Sequence, residues 1–235
     1  MLQIRPKTFL IITVALTASC IFFGCSANKG RPPVAAGTGW NIEKLVESAR
    51  KAALSALREQ KRGRSRDFAE QGIELAERCL ATAPEEPGCY YWRAVATGLY
   101  YRARVIGYQR GVKRMIEDCH KVIALDERYD NAGAWRILGQ LYTQLPQTGG
   151  AADSITRDLD LAEESLKKAI SIAPDYPENH IALTETLLAQ EKFEESAKTL
   201  EAAMNLMPRW KRDASYNEWR TQMATLSKKI IKTYK

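Results

Sequence analysis

The sequence predicts an all-α fold, a solenoid of about four helical hairpins followed by a C-terminal capping helix. The stretch WRILGQLY, residues 135–142, places an indole, a leucine, a glycine and a tyrosine at i, i+3, i+4 and i+7, which is one face of an α-helix. A second helical pattern with a narrow face of small residues then runs to Pro174. The pattern stops again at Pro208, 34 residues later. A fixed period of this length indicates stacked helix-turn-helix repeats.

Gly139 is the most informative residue of the first pattern. Glycine weakens a helix by roughly 1 kcal/mol relative to alanine, so it usually has a packing reason. We expect a second helix to approach closely at this point. The segment LAEESLKKAISIAP provides one, because Ala162, Leu166 and Ala169 lie on a common face of it.

The same slots recur along the chain. They are filled by Leu183, Leu187, Ser196, Leu200 and Ala203 in the last unit, and upstream by Gly72, Ala76, Cys79, Pro84, Trp92, Val95, Ala96, Leu99, Met115, Cys119 and Val122. Over about residues 41–208 the pattern resembles the tetratricopeptide repeat (TPR) family, carried by Trp135, Leu138, Gly139, Tyr142, Ala162, Leu166, Ala169 and Pro174. Two units depart from the strict period, because about seven and about eleven extra residues separate their helices, and Glu127 stands at one proline slot.

Repeats of this kind are needed in number. One helical pair cannot bury its own apolar face, whereas three or more stacked pairs share a continuous core. A final helix at about residues 214–231 has its apolar residues, Trp219, Met223, Leu226 and Ile230, at helical spacing and a basic opposite face. We expect this helix to cap the exposed end of the solenoid.

The N-terminus indicates export. A basic start precedes an uncharged run, residues 8–24, which is short for a membrane span and typical of a secretory signal. Cys25 follows Gly24 in a segment that resembles a bacterial lipobox, whose cysteine becomes the lipidated first residue. Cys20 is a rival lipidation site, and an uncleaved anchor helix is the alternative. Ser26 after the cysteine is consistent with outer-membrane sorting, so we expect the chain to face the periplasm.

The predicted organisation has four parts. Residues 1–24 form the signal, 25–39 a flexible Gly- and Pro-containing tether, 40–208 the repeats and 209–235 the capping helix. Asn41 is placed to cap the first helix.

Three cysteines remain beyond the lipidated one and its rival. Cys79 ends one predicted helix and Cys89 begins the next, so a disulfide across that turn is compatible with an oxidising compartment. The alternative is that Cys79 and Cys119 are free and buried, because both occupy repeat slots that favour small residues.

Charge and motifs argue against nucleic-acid binding and catalysis. Without Arg5 and Lys7, 33 basic residues face 28 acidic ones, a modest formal balance of +5. Lys61–Arg66 and Arg209–Arg212 are basic clusters. An exported domain rarely meets nucleic acid, so a solvated turn or attraction to an anionic membrane surface is the favoured explanation. No metal-ligand spacing, nucleophile elbow or phosphate loop is present, and we expect no catalytic residue, no metal and no cofactor.

The TPR resemblance implies a binding face, since the first helix of each TPR pair lines a groove. The corresponding slots are Tyr90, Arg93, Thr97, Tyr100 and Tyr101 in one unit and Arg136, Gln140, Thr143 and Gln144 in the next. Arg93 and Arg136 occupy equivalent slots, so we expect two guanidiniums in a tyrosine-lined trough that would hold a carboxylate or an acidic peptide. Ordinary solvated surface is the alternative.

Among TPR proteins, the chain is similar to the exported lipoproteins associated with tripartite ATP-independent periplasmic (TRAP) transporters. The lipobox, the long first repeat and LGQLYTQLPQTGG carry the similarity. It implies a protein partner in the cell envelope, a periplasmic solute-binding subunit, and an assembly that can be homo-oligomeric. A pilotin-like envelope-assembly lipoprotein and a small-ligand carrier with a cavity between Tyr90 and Tyr108 are the alternatives.

Overall fold

The computed structural model describes residues 41–103 and 107–233. The predicted signal, the lipidation site at Cys25 and the predicted tether lie outside these ranges. Within them the chain is helical, with α1 Ile42–Arg58, α2 Arg62–Thr82, α3 Pro87–Ala103, α4 Tyr108–Asp126, α5 Tyr129–Gln144, α6 Leu159–Ile172, α7 Pro177–Ala189, α8 Phe193–Leu206, a 3₁₀ turn Met207–Trp210 and α9 Tyr216–Thr233. None of the helices in these ranges is both long and apolar enough to cross a bilayer.

The helices pack in consecutive pairs, and the pairs stack. The pairs are α1 with α2, α3 with α4, α5 with α6 and α7 with α8. The first helix of each pair also contacts the first helix of the next, α1 with α3, α3 with α5 and α5 with α7, and α9 then contacts α7 and α8. The predicted class of fold, a helical-hairpin solenoid with a capping helix, is therefore confirmed.

The small residues of the repeat pattern mark the points where helices approach closely. Gly139 of α5 faces Leu166 of α6, and a Cβ on residue 139 would lie 2.8 Å from Leu166 Cδ1. Gly72 of α2 faces two neighbours in the same way, since its Cβ would lie 3.1 Å from Ala96 Cβ and 3.5 Å from the Ala53 nitrogen. Close packing of the helix pairs therefore depends on glycine at these positions as well as on the apolar side chains.

Local signals set several helix ends. Asn41 caps α1, accepting a hydrogen bond from the Lys44 amide at 3.3 Å, and Asp158 caps α6 through the Leu161 amide at 2.9 Å. The insertion between α5 and α6 is held against α4, because the Gln109 amide pairs with both the N–H and the C=O of Ile155 at 2.9 Å. The extra residues of that unit thus form a pinned loop and do not disturb the stacking.

Cys79 and Cys89 form a disulfide that ties the end of α2 to the start of α3, with 5.8 Å between the Cα atoms. Cys119 is a free, buried thiol, and burial raises its pKa strongly. The disulfide therefore closes a short loop and stabilises the turn that connects the first two helical pairs.

The capping helix α9 begins at Tyr216, two residues after the expected start, and ends at Thr233. Its buried residues are Trp219, Met223, Leu226 and Ile230, as the spacing predicts. Trp219 packs edge-to-face against Tyr176 and Trp210, with ring centroids 5.4 and 6.0 Å apart. This aromatic cluster attaches the cap to the last pair of helices.

Glu163 is a nearly buried carboxylate that links α6 to the turn before α8. Its oxygens pair with Lys167 at 2.5 Å and with Lys192 at 2.6 Å. Burial alone would raise the pKa of Glu163, but its hydrogen bonds to Lys167 and Lys192 outweigh that effect and lower the pKa to about 2. The two lysines thus keep this carboxylate ionised down to acidic pH.

We predict that Gly139→Ala lowers the free energy of unfolding by about 1–2 kcal/mol, because the steric cost of overpacking exceeds the gain in helix propensity. Leu166 is fully buried and cannot swing away. Gly63→Ala is the matched control, since Gly63 is helical and nothing lies within 4 Å of its added Cβ. Urea denaturation should leave the control unchanged or slightly more stable. Equal effects at the two positions would contradict the packing role of Gly139.

We also predict that Glu163 stabilises the fold only above acidic pH. Its pKa is depressed in the folded chain, so its contribution is complete above its unfolded value near 4.3 and is lost as pH falls towards about 2. Glu163→Gln should lower the melting temperature at neutral pH, and the difference from the native chain should shrink below about pH 4. Glu164→Gln, an exposed neighbour, is the control. A difference that stays constant down to pH 2 would exclude this linkage.

Candidate partner-binding face

The nine residues predicted to line a groove do not share one environment. Thr97 and Arg136 are buried, and Gln144 is exposed. The other six, Tyr90, Arg93, Tyr100, Tyr101, Gln140 and Thr143, are half-buried. All nine lie on the first helices α3 and α5, and two of them are buried away from the surface.

Arg93 is engaged by its own helical pair. Its guanidinium makes two hydrogen bonds to Asp118 of α4, with Nε 2.9 Å from Oδ2 and Nη2 2.5 Å from Oδ1, and its Cζ lies 5.6 Å from the centre of the Tyr90 ring. Burial raises the pKa of Asp118 even against the attraction of Arg93, whereas the hydrogen bonds to Asp118 raise the pKa of Arg93 in spite of burial. The positive charge at this slot is therefore neutralised within the repeat.

Arg136 is fully enclosed. Its Nη2 donates to Asp130 Oδ2 at 2.9 Å, its Nη1 donates to Asn179 Oδ1 at 3.0 Å, and its Nε lies 3.6 Å from Glu178 Oε1. The Tyr176 ring covers the guanidinium, 4.9 Å from ring centre to Cζ. Burial alone would lower the pKa of Arg136, but the negative charges around it, Glu178 first, raise it instead. The buried guanidinium of Arg136 therefore has a structural role and links α5 to α7.

The start of α5 contains a left-handed turn. Asp130, Asn131 and Ala132 have φ values of 50, 56 and 61°. Asparagine and aspartate tolerate this conformation, whereas alanine rarely adopts it and each such residue costs roughly 1–2 kcal/mol. Arg136 Nη1 donates to the carbonyl oxygens of Asp130 and Asn131, at 3.3 and 3.4 Å, and so compensates the strain directly.

Tyr91 and Asn179 complete the cluster. The Tyr91 hydroxyl bonds to the Asp130 carboxylate and also accepts from Arg136 Nη2 at 3.3 Å, while burial and the nearby Asp130 raise the pKa of Tyr91. The Asn179 amide donates to the carbonyl oxygens of Asn131, Ala169 and Ala173 at 3.2–3.3 Å. We call Tyr91, Asp130, Arg136, Tyr176, Glu178 and Asn179 the Arg136 cluster; it unites α3, α5 and α7.

Both arginines of the expected carboxylate-binding pair have acidic partners within the stack. Arg93 is paired with Asp118, and Arg136 with Asp130 and Glu178. Equivalent slots in the two repeats hold guanidiniums that each repeat already satisfies from within. The sequence does contain an acidic residue that could have indicated each internal ion pair. Asp118 is on the helix after Arg93, and Glu178 is in the repeat after Arg136.

The remaining members keep a polar, aromatic character at the surface. The Tyr100 and Tyr101 rings meet edge-to-face with centroids 5.1 Å apart, and Gly111 of α4 leaves the space that the Tyr101 ring fills. The Thr143 hydroxyl donates to the Gly139 carbonyl at 2.8 Å and lies 2.7 Å from the Thr186 hydroxyl of α7. Gln144 is exposed, whereas Tyr90 and Gln140 are half-buried.

An open cleft of about 720 Å³ lies at the N-terminal ends of α1 and α3, and sequence reasoning missed it. Its lining residues are Asn41, Ile42, Glu43, Val46, Glu47, Arg50, Glu86, Trp92 and Tyr129. Arg50 is paired with Glu47 at 3.3 Å and lies 5.9 Å from the Trp92 ring centre, so the free charge of the cleft is acidic. Three separate segments form it, which no single sequence motif could indicate.

Among the described residues, no group of three or more His, Cys, Asp or Glu is arranged to hold a metal ion. His180 is half-buried, and its Nε2 lies 2.7 Å from the Pro174 carbonyl oxygen, as suits a packing residue. His120 is exposed on α4.

The fold defines a class, the helical-repeat proteins of TPR type. Among solved structures the chain is similar to a thermophilic TPR protein of Thermus thermophilus, with 19% identity, a TM-score of 0.51, and coverage of 80% of this chain and 91% of the other. It also matches a MamA chain, residues 41 to the end, of Desulfovibrio magneticus RS-1, with 14% identity, a TM-score of 0.46, and coverage of 82 and 94%. No curated protein matches the sequence.

The family model of the TRAP transporter T-component matches residues 42–206. The match covers all four helical pairs. The chain therefore belongs to the TRAP transporter T-component family, and the similarity expected from its sequence is confirmed. Membership assigns it an accessory role in transport at the bacterial envelope, in a family of non-catalytic components.

We predict that Arg136→Gln lowers the free energy of unfolding by about 3–5 kcal/mol, because it leaves Asp130 and Glu178 without their counter-charge. The control is Arg114→Gln, which breaks an ion pair to Glu77 between half-exposed side chains and should cost less than about 1 kcal/mol. Both variants are compared by chemical denaturation. Similar losses in the two would show that the Arg136 cluster does not hold the stack together.

Proposed function

We propose that the chain is a tethered interaction scaffold that binds the solute-binding subunit of a TRAP-type transporter through the face of its first helices. The observation that carries the proposal is the family match over all four helical pairs. Because stacked first helices contact one another, their outward side chains form one continuous surface across the repeats. A protein partner can therefore be engaged by several repeats at once.

The chemistry of this face supports recognition of a protein. Tyr90, Tyr100 and Tyr101 are half-buried aromatics, and Gln140 and Gln144 add amides that donate and accept hydrogen bonds. Tyrosine is enriched at protein interfaces because its apolar ring carries a polar end. With Arg93 and Arg136 neutralised internally, we infer that the partner is held by aromatic packing and amide hydrogen bonds, and that a cradle for carboxylates is not used.

Membrane attachment completes the proposal. Lipidation at Cys25, followed by the tether 25–39, would hold the repeats near a membrane and leave the first-helix face free to meet a periplasmic partner. We place the anchored chain on the outer membrane, facing the periplasm, because of Ser26.

Two other functions compete with this one. An envelope-assembly scaffold of pilotin type would use the same face for a secretin or porin. A small-ligand carrier would need an enclosed apolar cavity, whereas the cleft at α1 and α3 is open and bears the carboxylates of Glu43 and Glu86. The family match favours the transporter subunit over both.

Site-specific photo-crosslinking in intact cells tests the partner. We expect a photoreactive residue at Tyr90, Gln140 or Gln144 to crosslink to a solute-binding subunit that mass spectrometry identifies. The matched controls are the exposed second-helix positions Glu164 and Lys198, which should give no such adduct. Adducts to a secretin or porin would transfer the proposal to envelope assembly. Equal labelling from both sets of positions would exclude the first-helix face as the binding surface.

Fractionation of the same cells tests the proposed lipid anchor at Cys25. Cys25→Ser should move the chain from the membrane to the soluble fraction, whereas Cys20→Ser should leave it at the membrane, because lipidation at Cys25 does not need Cys20. The reverse result would assign the anchor to Cys20, and membrane retention in both variants would indicate an uncleaved helix.

A further inference from the structure

The turn between α1 and α2 carries a charged surface that the proposed function does not use. We call residues 57–68 the basic tip; its exposed cations are Arg58, Lys61, Arg62, Arg64 and Arg66. Against Glu59 and Asp67 these five give a formal balance of +3 in a short segment.

Few of these cations have a partner. Arg66 pairs with its exposed neighbour Asp67 at 3.3 Å, and Glu59 accepts a hydrogen bond from the Lys61 backbone amide at 2.8 Å. No ion pair within the described ranges engages the side chains of Arg58, Lys61, Arg62 or Arg64. The charge of the basic tip is therefore directed at solvent.

The position of these cations opposes helix stability. α2 begins at Arg62, no side chain caps it, and its first turn holds no acidic residue. The N-terminus of a helix carries partial positive charge, so cations there are unfavourable and anions favourable. By contrast α1 and α6 each have a capping side chain and an acidic first turn. The described residues place no capping side chain and no acidic first-turn residue at the start of α2, so an external anion would be favourable there.

Apolar side chains accompany the charge. Leu57 at the end of α1 is 40% exposed and Phe68 in α2 is 37% exposed, two of the few large apolar residues at the described surface. The Ser65 hydroxyl donates to the Ala56 carbonyl at 2.8 Å and fixes the two helix ends against each other. The basic tip thus presents cations and two large apolar residues from one end of the α1–α2 hairpin.

We propose that the basic tip binds the anionic phospholipid surface of a bilayer, with its cations at the phosphates and Leu57 and Phe68 at the acyl boundary. Cations beside Leu and Phe are the combination that interfacial membrane contacts use. A nucleic acid would use the cations and leave both apolar side chains in water. The contact orients the repeats on the membrane and does not depend on which protein the first-helix face binds.

Vesicle partition of the full chain tests the proposal. Sucrose-loaded vesicles of phosphatidylcholine, with and without phosphatidylglycerol, are sedimented at low and at high salt. The readout at each salt concentration is the partition coefficient with phosphatidylglycerol divided by the one without it. Residues 1–40 are common to all variants, so their contribution cancels between them. Replacing Lys61, Arg62, Arg64 and Arg66 with glutamine should reduce this ratio about tenfold or more at low salt.

The matched control removes four cations elsewhere, with Lys211, Arg212, Lys228 and Lys229, all exposed, changed to glutamine. This control variant should change the ratio by less than about twofold. A loss as large as that of the basic-tip variant would mean that net charge alone is responsible, and it would overturn the proposal. Leu57→Ser with Phe68→Ser should weaken partition into both kinds of vesicle. The proposal would also be overturned if replacing the four basic-tip cations did not lower the ratio. The same holds if the basic tip bound a DNA oligonucleotide or polyglutamate but not the vesicles. Circular dichroism melting checks that each variant is folded.

Discussion

The buried guanidinium of Arg136 is the interaction on which the stacking of the central repeats depends. A guanidinium has five N–H donors and no acceptor, and it keeps its charge when buried. Here those donors meet oxygens from the first turn of α5, from the start of α7 and from Tyr91 of α3. Three successive first helices are thereby fixed around one ion. A lysine could not replace it, because a single ammonium cannot form this planar fork.

The cluster also explains how a strained backbone persists. The left-handed turn at residues 130–132 directs two carbonyl oxygens at Arg136 and brings the Asp130 carboxylate to the Tyr91 hydroxyl. Gly133 then allows the Tyr91 ring to approach closely, since a Cβ there would lie 2.6 Å from Tyr91 Cε2. The buried charge alone would be costly, and the turn alone would be strained. Each is stabilised by the other, which is why the arrangement needs all its members.

The distribution of charge follows from this interior use of arginine. Arg93 and Arg136 are neutralised inside the stack, so the first-helix face offers tyrosines and amides, while the cleft at α1 and α3 is acidic. Clusters of exposed cations remain in the basic tip and around α9. A chain with a net formal charge of +7 thus carries separate surfaces of different chemistry, which is suited to holding a partner and a membrane at the same time.

The sequence by itself determined the helices, their pairing and their number, because hydrophobic periodicity and small residues at fixed spacing encode which face of a helix is buried. Gly139 and Trp219 were placed correctly on this basis, and Asn41 by its preference for the N-cap position. Only the tertiary structure decided the fate of Arg136, whose acceptors lie 6 and more than 40 residues away. It also decided the left-handed turn, the Cys79–Cys89 bridge and the cleft. Periodicity shows that a face is covered, but it carries no information on which distant side chain covers it, and the charge and partner of each arginine depend on that contact.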